Sequence, residues 1–219
     1  MNAEETLQQI RSVIIRAIAV GIANDQKYPA IRVSGASMKE IYIQGAPDLS
    51  ISMRNRSYGY IYEQLERSGA YHIKMIDGTL LQMLYRFQRR RIISHRLSLF
   101  PAPVLESYDR VPEIYEEDEA FGDMAVRSTV PVPIRFDFSA DPRIHIDIEH
   151  LQSHLTLGDC KGCRIPVTGP LTPFQFMRFV LRHFYSARYT EINLDRDGVH
   201  PRFPETITSG ERDIAYLVP

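Results

Sequence analysis

The sequence predicts an α+β protein, built on a mostly antiparallel sheet of five or more strands with an N-terminal and a C-terminal helix packed on it. A helical pattern stands near each end of the chain, and between them strand patterns follow one another through short turns. Strands without intervening helices disfavour a Rossmann or P-loop architecture, and neither glycine-rich phosphate-binding motif is present. We expect a single domain over residues 1–219.

The N-terminal helix is predicted within residues 1–25. Apolar residues recur at steps of three and four over Ala3–Asn24, and Glu4 and Glu5 suit a first helical turn. The following segment, Pro29–Ser52, is mixed and rich in turn-forming residues. Ser57–Leu65 fits either a strand or a short helix.

The sheet is predicted over residues 55–170. Asp77-Gly78 separates two alternating apolar runs, which is a strong signal for a hairpin. His145–Ile148 and Ser153–Leu157 fit two short strands or a strand-like loop. The other predicted strands are Tyr71–Ile76, Leu80–Gln88, Ile92–Phe100, Val130–Phe138 and Cys163–Val167.

The C-terminal helix is predicted within residues 172–186. Thr172 is a good N-cap, Pro173 suits the first helical position, and the apolar run continues to Tyr185. Most of its aromatic residues are expected to face the sheet. Phe176 lies off the main apolar face and is a candidate for a partner interface.

Composition narrows the functional classes. The net charge of -1 disfavours a strongly basic protein that coats nucleic acid. No run approaches the roughly 18 apolar residues that a membrane span needs, so we expect no membrane partner. Two cysteines three positions apart cannot staple a secreted scaffold, which favours a reducing cytoplasm.

The stretch HIDIEHLQSHLTLGDCKGC, residues 145–163, contains three of the seven histidines and both cysteines. One interpretation is zinc binding by His150, His154, Cys160 and Cys163, in the spacing H-x3-H-x5-C-x2-C. A second is structural: such histidines, and His95 elsewhere, would be buried polar residues satisfied by backbone groups.

The third interpretation is acid–base chemistry. On a strand, His145, Asp147 and Glu149 would share one face, and Arg135 and Asp137 would do so on the preceding strand. Imidazole, guanidinium and carboxylate groups together can bind a phosphate and move protons around it. All three interpretations remain open at this point.

A basic and aromatic segment suggests one further possibility. Arg86 and residues 89–91, all arginine, are interleaved with Tyr85 and Phe87. This combination is typical of single-stranded nucleic-acid binding, but it also fits a solvated strand end that faces the acidic segment Ser107–Asp123.

Several separated blocks resemble the bacterial family known as domain of unknown function 2290. They are YHIKMIDGTLLQMLYRF, SHRLSLFPAP, IRFDF and SHLTLGDCKGCRIPVTGPLTPFQFMRFVLRHFY, and the resemblance covers about residues 50–190. The family pattern has an Arg-x-Asp strand, a His-x-x-Ser-His-Leu-His-Leu-Gly block and a Cys-Arg-Ile-Pro strand. Thr156 stands where that pattern has a third histidine, and the pattern makes Cys163 the more characteristic cysteine.

The residues that match this pattern define the predicted site. His154 and His150 would act as general acid and base, and Asp137 would orient a histidine. Arg135, Arg164 and Ser153 would hold a phosphate.

The resemblance implies a role near mobile-element or phage-defence genes. We therefore expect a cytoplasmic phosphodiester-acting enzyme, on RNA or a nucleotide, of a toxin or defence system. The alternative is a non-catalytic binding or sensor subunit that recognises a nucleotide, a nucleic acid or a protein encoded nearby. No cofactor is required in this hypothesis, although a divalent metal is possible.

Overall fold

The computed structural model describes residues 1–35, 37–46, 56–103, 132–158, 162–192, 194 and 201–219. Within these ranges the chain has the predicted α+β architecture, with nine strands in one antiparallel sheet. The helices are α1 Ala3–Ala19, α2 Tyr58–Arg67, α3 Pro173–Phe184, α4 Ser186–Ile192 and α5 Ser209–Arg212. The strands are β1 Ala23–Gln26, β2 Pro29–Ser34, β3 Met38–Ile43, β4 Ile73–Met75, β5 Leu80–Gln88, β6 Arg91–Phe100, β7 Ile134–Ser139, β8 Ser153–Leu157 and β9 Arg164–Pro166.

The strand order is β1-β4-β5-β6-β7-β8-β9, and the β2–β3 hairpin joins the sheet through β3. Two strands share one edge of β5: β4 pairs with its Leu80 end, and β3 pairs with its Gln88 end. The other edge of β5 pairs with β6 along the whole strand. Strands β5 to β9 follow one another in the sheet as a meander, and the histidine-rich segment, residues 145–163, contributes β8 to it.

The two faces of this meander differ in character because successive side chains point to opposite sides. One face is apolar and packs under α1 and α3, which also contact each other. Its buried residues include Met83, Tyr85, Leu97, Phe136 and Leu155. Burial of each such side chain is worth roughly 1.5–3 kcal/mol, so this alternation fixes the orientation of every strand.

The N-terminal helix ends earlier than the predicted range 1–25. Its start has a capping box between Asn2 and Glu5, as the acidic first turn suggested. At its end Ile22 N donates back to Ala17 O at 3.1 Å, and the chain reverses at Gly21, where φ is +72°. The next residues enter the sheet as β1, so the sheet extends N-terminal of the predicted 55–170 range.

The Asp77-Gly78 turn is confirmed. Gly78 has φ +82°, and the Asp77 carboxylate accepts a hydrogen bond from Thr79 N at 2.9 Å. The segment Pro29–Ser52, predicted only as turn-rich, contains the β2–β3 hairpin. The segment Ser57–Leu65 is helical: Ser57 is the N-cap of α2 and the rest of the segment lies within this helix.

The structure excludes two possibilities that the sequence left open for aromatic residues. Phe176 is fully buried, with its ring 6.2 Å from that of Phe136, and cannot belong to a partner interface. Tyr85 and Phe87 are buried on the apolar face, so they cannot stack on nucleic-acid bases beside the arginines. The acidic segment Ser107–Asp123 lies outside the described residues.

The start of α3 is attached to the sheet through the backbone of Leu171. Tyr85 Oη donates to Leu171 O at 3.0 Å, and Leu171 N donates to His95 Nε2 at 3.0 Å. Thr172 then caps the helix through Gln175 N, as predicted. His95 is thus a buried polar residue whose Nε2 is satisfied by a backbone group, as the structural interpretation expected, while its Nδ1 has no partner among the described residues.

His72 has the same kind of environment. Its Nδ1 accepts a hydrogen bond from Met83 N at 3.0 Å, and the side chain is fully buried. Burial lowers the pKa of His72 to about 3. Burial likewise lowers the pKa of His95 to about 4, with partial opposition from the charge of Asp137. Both imidazoles are therefore neutral acceptors at neutral pH.

We predict that the free energy of unfolding falls as the pH drops below about 6.5, the ordinary pKa of histidine. Because the folded-state pKa values of His72 and His95 are depressed, the unfolded chain binds more protons in this range. The stabilisation that comes from keeping these two histidines neutral is therefore complete above pH 6.5. It is lost progressively as the pH falls from about 6.5 to about 4 for His95 and about 3 for His72. Each histidine contributes a slope of about 1.4 kcal/mol per pH unit. Denaturant unfolding at pH 7, 6, 5 and 4.5 measures it.

The matched control is His95→Gln, whose amide oxygen can accept the Leu171 hydrogen bond but does not titrate. This variant should lose stability less steeply with falling pH than the wild type. An unchanged slope would contradict the assignment of acid sensitivity to His95.

Candidate functional site

A polar cluster lies on the sheet face opposite α1 and α3. It consists of Arg96 on β6, Arg135 and Asp137 on β7, His154 on β8 and Arg164 on β9, and is called the polar face below. In the register, Asp137 lies directly opposite both Arg96 and His154. Arg135 lies opposite Thr156, which lies opposite Arg164. The structure therefore brings four of the predicted site residues to one face and adds Arg96.

Asp137 is at the centre of the polar face. Its Oδ1 accepts a hydrogen bond from Arg96 Nε at 2.9 Å, and its Oδ2 accepts one from Arg135 Nε at 3.1 Å. The Asp137 side chain is only 16% exposed, against 47% for Arg96 and 40% for Arg135. Burial raises the pKa of Asp137, but the two guanidinium charges outweigh this effect and hold the pKa below its ordinary value. Asp137 is therefore ionised at neutral pH.

His154 lies beside this carboxylate as a half-buried imidazole. Its Nδ1 is 3.2 Å from Leu151 O, so Nδ1 carries the proton that is donated to this carbonyl, and the Nε2 lone pair is left to accept. Burial lowers the pKa of His154, and the charges of Arg164 and His150 lower it further, while Asp137 raises it. The net lowering gives a neutral imidazole at pH 7, which is the form a general base requires.

The arginines have donors to spare. Arg96 and Arg135 use Nε to bind Asp137, and their Nη groups find no acceptor among the residues that the structure describes. Arg164 makes one long hydrogen bond, from its guanidinium to Glu149 O at 3.4 Å. Guanidinium groups with free Nη donors suit bidentate binding of a phosphate. The polar face can thus hold an anion next to a neutral imidazole.

His150 lies in the β7–β8 connection. Ile146 N donates to His150 O at 3.1 Å and His150 N donates to Ile146 O at 2.7 Å, which closes a tight turn. The turn includes Ile148 with φ +67°, so the predicted strand face of His145, Asp147 and Glu149 is not formed. His150 is close enough to His154 to affect its pKa, and its own Nδ1 is buried without a partner among the described residues.

The structure corrects the prediction for Ser153. Ser153 is opposite Phe138 in the register and belongs to the apolar face, where its hydroxyl lies 2.9 Å from Thr206 Oγ1. It therefore cannot bind the same phosphate as Arg135 and Arg164. The alternation of side chains along β8 makes this unavoidable, because Ser153 and His154 are neighbours in sequence.

The structure describes three of the four residues in the zinc interpretation. Cys160 lies outside the described residues, and Cys163 is a free, half-buried cysteine. Of the two histidines, His154 has its Nδ1 on a backbone carbonyl and only Nε2 available as a ligand.

Arg96 was not predicted as a site residue. No local spacing connects it to the histidine-rich segment, which lies more than 40 residues further along the chain. Its position beside Asp137 becomes apparent only from the pairing of β6 with β7.

A shallow cleft of about 420 Å³ continues the same face beyond the cluster. Its lining includes Arg86, Ser94, Ser139 and Arg143. Arg86 is paired with Glu40, and Arg143 with Asp141.

Comparison with known proteins adds a family but no activity. A family model described as "Uncharacterized conserved protein (DUF2290)" matches residues 22–218, so the chain belongs to this family, as its motifs suggested. The match includes all nine described strands and helices α2–α5, and it begins after α1. No curated protein and no solved structure matches the chain. None of the described helices is long and apolar enough to cross a bilayer.

We predict opposite shifts in the pKa of His154 when its charged neighbours are removed. Asp137→Asn should lower this pKa, because the carboxylate favours the imidazolium form, and Arg164→Gln should raise it. NMR titration of the His154 ring measures both shifts. Asp141→Asn, which removes a carboxylate paired with Arg143, is the control and should leave the titration unchanged. Equal shifts in all three variants would show that the cluster is not assembled as described.

Proposed function

We propose that this DUF2290 protein is a phosphodiester-acting enzyme, with RNA or a nucleotide as its substrate, and that the polar face is its active site. One observation carries the proposal: a neutral imidazole, His154, lies directly opposite a carboxylate that is bound by two arginines. An anion can therefore bind within reach of a base.

Phosphate binding is assigned to the arginines. Arg135 and Arg164 lie on either side of Thr156 in one cross-strand row, so both can contact the non-bridging oxygens of one phosphate. Arg96 adds a third guanidinium on the other side of Asp137. Asp137 keeps two of these positive charges in place and faces His154.

The reaction on RNA would proceed without a metal. His154 Nε2 takes the proton of the 2′-hydroxyl, the 2′ oxygen attacks phosphorus, and the bond from phosphorus to the 5′ oxygen breaks. A proton from the second imidazole, His150, goes to the leaving 5′ oxygen. The products are a 2′,3′-cyclic phosphate and a 5′-hydroxyl. The arginines stabilise the charge that develops on the non-bridging oxygens.

The cellular setting is a separate part of the proposal. A cytoplasmic protein of a bacterial toxin or phage-defence system, with a partner encoded nearby, is a prediction from the family resemblance. The polar face bears on the chemistry alone.

A second candidate is a non-catalytic subunit that binds a nucleotide or nucleic acid. The observation in its favour is that both Asp137 oxygens are already occupied by arginines, which makes the centre of the site a fixed ion-pair network. Such a network can bind a phosphate without turnover. The same arginines would then recognise the ligand, and the histidines would only contact it.

We predict that the purified protein cleaves RNA in the presence of EDTA, and that His154→Ala reduces the cleavage rate by about 100-fold or more. The melting temperature of this variant should stay within a few degrees of the wild type. A DNA oligonucleotide of the same base sequence should resist cleavage, because it lacks the 2′-hydroxyl that acts as the nucleophile. Gel analysis of labelled strands and mass spectrometry of the cyclic-phosphate end measure the outcome.

The matched control is His183→Ala, which removes an exposed imidazole on α3, at the opposite face of the sheet. It should cleave at the wild-type rate. If His154→Ala cleaves as fast as the control, the activity does not belong to the polar face. If the wild type cleaves neither RNA nor nucleotides but binds them, and Arg135→Gln and Arg164→Gln abolish binding, the second candidate replaces the first.

A further inference from the structure

We infer that His145, Asp147 and Glu211 form a binding site for one divalent transition-metal ion of the zinc or manganese type. His145 and Asp147 come from the β7–β8 connection, and Glu211 comes from α5 near the C-terminus. This set differs from the four residues that the zinc spacing in the sequence suggested. None of its members belongs to the polar face.

The three side chains converge in space. One donor atom from each, an imidazole nitrogen and two carboxylate oxygens, lies within 4.8 Å of the other two. Ligands about 2.1 Å from a metal ion are themselves roughly 3–4 Å apart. A contraction of up to about 1–2 Å between these donor atoms would thus bring the set to metal-binding distance.

Glu211 supplies the independent observation. The residue is 1% exposed, and its Oε1 is buried without a hydrogen-bond partner among the described residues. Its Oε2 is already used, since it accepts from Thr208 N at 3.0 Å in the capping box of α5. A buried carboxylate oxygen without a donor costs free energy, and a cation is the partner that it lacks.

His145 is held in the form that a metal requires. Its Nδ1 lies 3.1 Å from His150 O, so Nδ1 carries a proton and Nε2 presents its lone pair. Histidine ligands of metal ions commonly donate their second N–H to a backbone carbonyl in this way, which fixes the ring.

Asp147 is positioned by the segment that carries Glu211. Thr208 Oγ1 donates to Asp147 Oδ1 at 2.6 Å and accepts from Glu211 N at 3.1 Å, so one hydroxyl orients both acidic residues. Gly210 allows this approach, because a Cβ at that position would lie 2.7 Å from Asp147 Oδ2. Among the described residues, no lysine or arginine forms an ion pair with either carboxylate.

The ligand types indicate the class of metal. One imidazole nitrogen and two carboxylate oxygens suit Zn²⁺, Mn²⁺ or Fe²⁺, whereas Mg²⁺ and Ca²⁺ prefer oxygen ligands throughout. Three protein ligands leave coordination positions for water. Asp147 is exposed, so an ion can enter from solvent.

The test is calorimetric titration of EDTA-treated, full-length protein with ZnCl₂, repeated with MnCl₂ and MgCl₂. We expect one Zn²⁺ per chain, a higher melting temperature with Zn²⁺, and no comparable binding of Mg²⁺. Glu211→Gln and His145→Gln should each weaken Zn²⁺ binding by at least about 100-fold. Mutation of residues that only hydrogen-bond to metal ligands already lowers metal affinity by about 10- to 100-fold, and loss of a ligand itself should cost more.

The matched control is Glu205→Gln, which removes an exposed carboxylate paired with Arg212 on the same C-terminal segment. It should bind Zn²⁺ like the wild type. Gln at position 211 can still accept the Thr208 hydrogen bond, so without metal this variant should melt no lower than the wild type. A large drop in its metal-free melting temperature would identify Glu211 as a structural residue and overturn the inference.

Two other outcomes would also overturn it. One is the absence of Zn²⁺ and Mn²⁺ binding by the wild type. The other is binding that survives Glu211→Gln but is lost in Cys163→Ser, which would place the ion at the cysteine and histidine set instead. RNA cleavage is not a readout here, so failure of the metal site and failure of the proposed enzymatic function are distinguished.

Discussion

The antiparallel register of β5 to β9 is the constraint on which both faces of the sheet depend. A slip of one residue in β7 would move Phe136 to the polar side and place the charges of Arg135 and Asp137 in the core. The apolar side resists such a slip through the packing of Phe136 against α3. The backbone of Leu171, held by Tyr85 and His95, fixes where α3 begins over the sheet. Packing on one face thus determines which polar groups meet on the other.

The polar face is better explained by anion binding than by stability. Ion pairs at half-exposed positions contribute little, roughly 0–1 kcal/mol, and a largely buried carboxylate carries a desolvation cost that its partners only offset. Asp137 has two guanidinium partners where one would neutralise it, and Arg164 adds positive charge nearby. The cluster therefore has excess positive charge beside a neutral imidazole. An anionic ligand would balance that charge.

The sequence predicted the local features of this fold well and its long-range pairings poorly. The Asp77-Gly78 turn and the Thr172 cap follow from residues adjacent in the chain, so sequence alone indicates them. The two-residue alternation of β7 correctly gave Arg135 and Asp137 one face. The same alternation places Ser153 on the opposite side of β8 from His154. The family pattern does not show this, because it lists matching residues without the face of the sheet on which each lies. Arg96 and Glu211 were missed because only strand pairing and the path of the C-terminal segment bring them near the other residues.

Local rules are broken most clearly in one place, the β7–β8 connection and its contact with α5. Ile148 is β-branched and has φ +67°, a conformation that costs on the order of 1–3 kcal/mol. The unpartnered Oε1 of Glu211 is a second cost in the same region. At the described helix starts, by contrast, local preference and tertiary structure agree, as in the capping boxes of α1, α3 and α5. Since chains tolerate such conflicts mainly where a site needs them, the two costs together point to the function of this connection rather than to its folding.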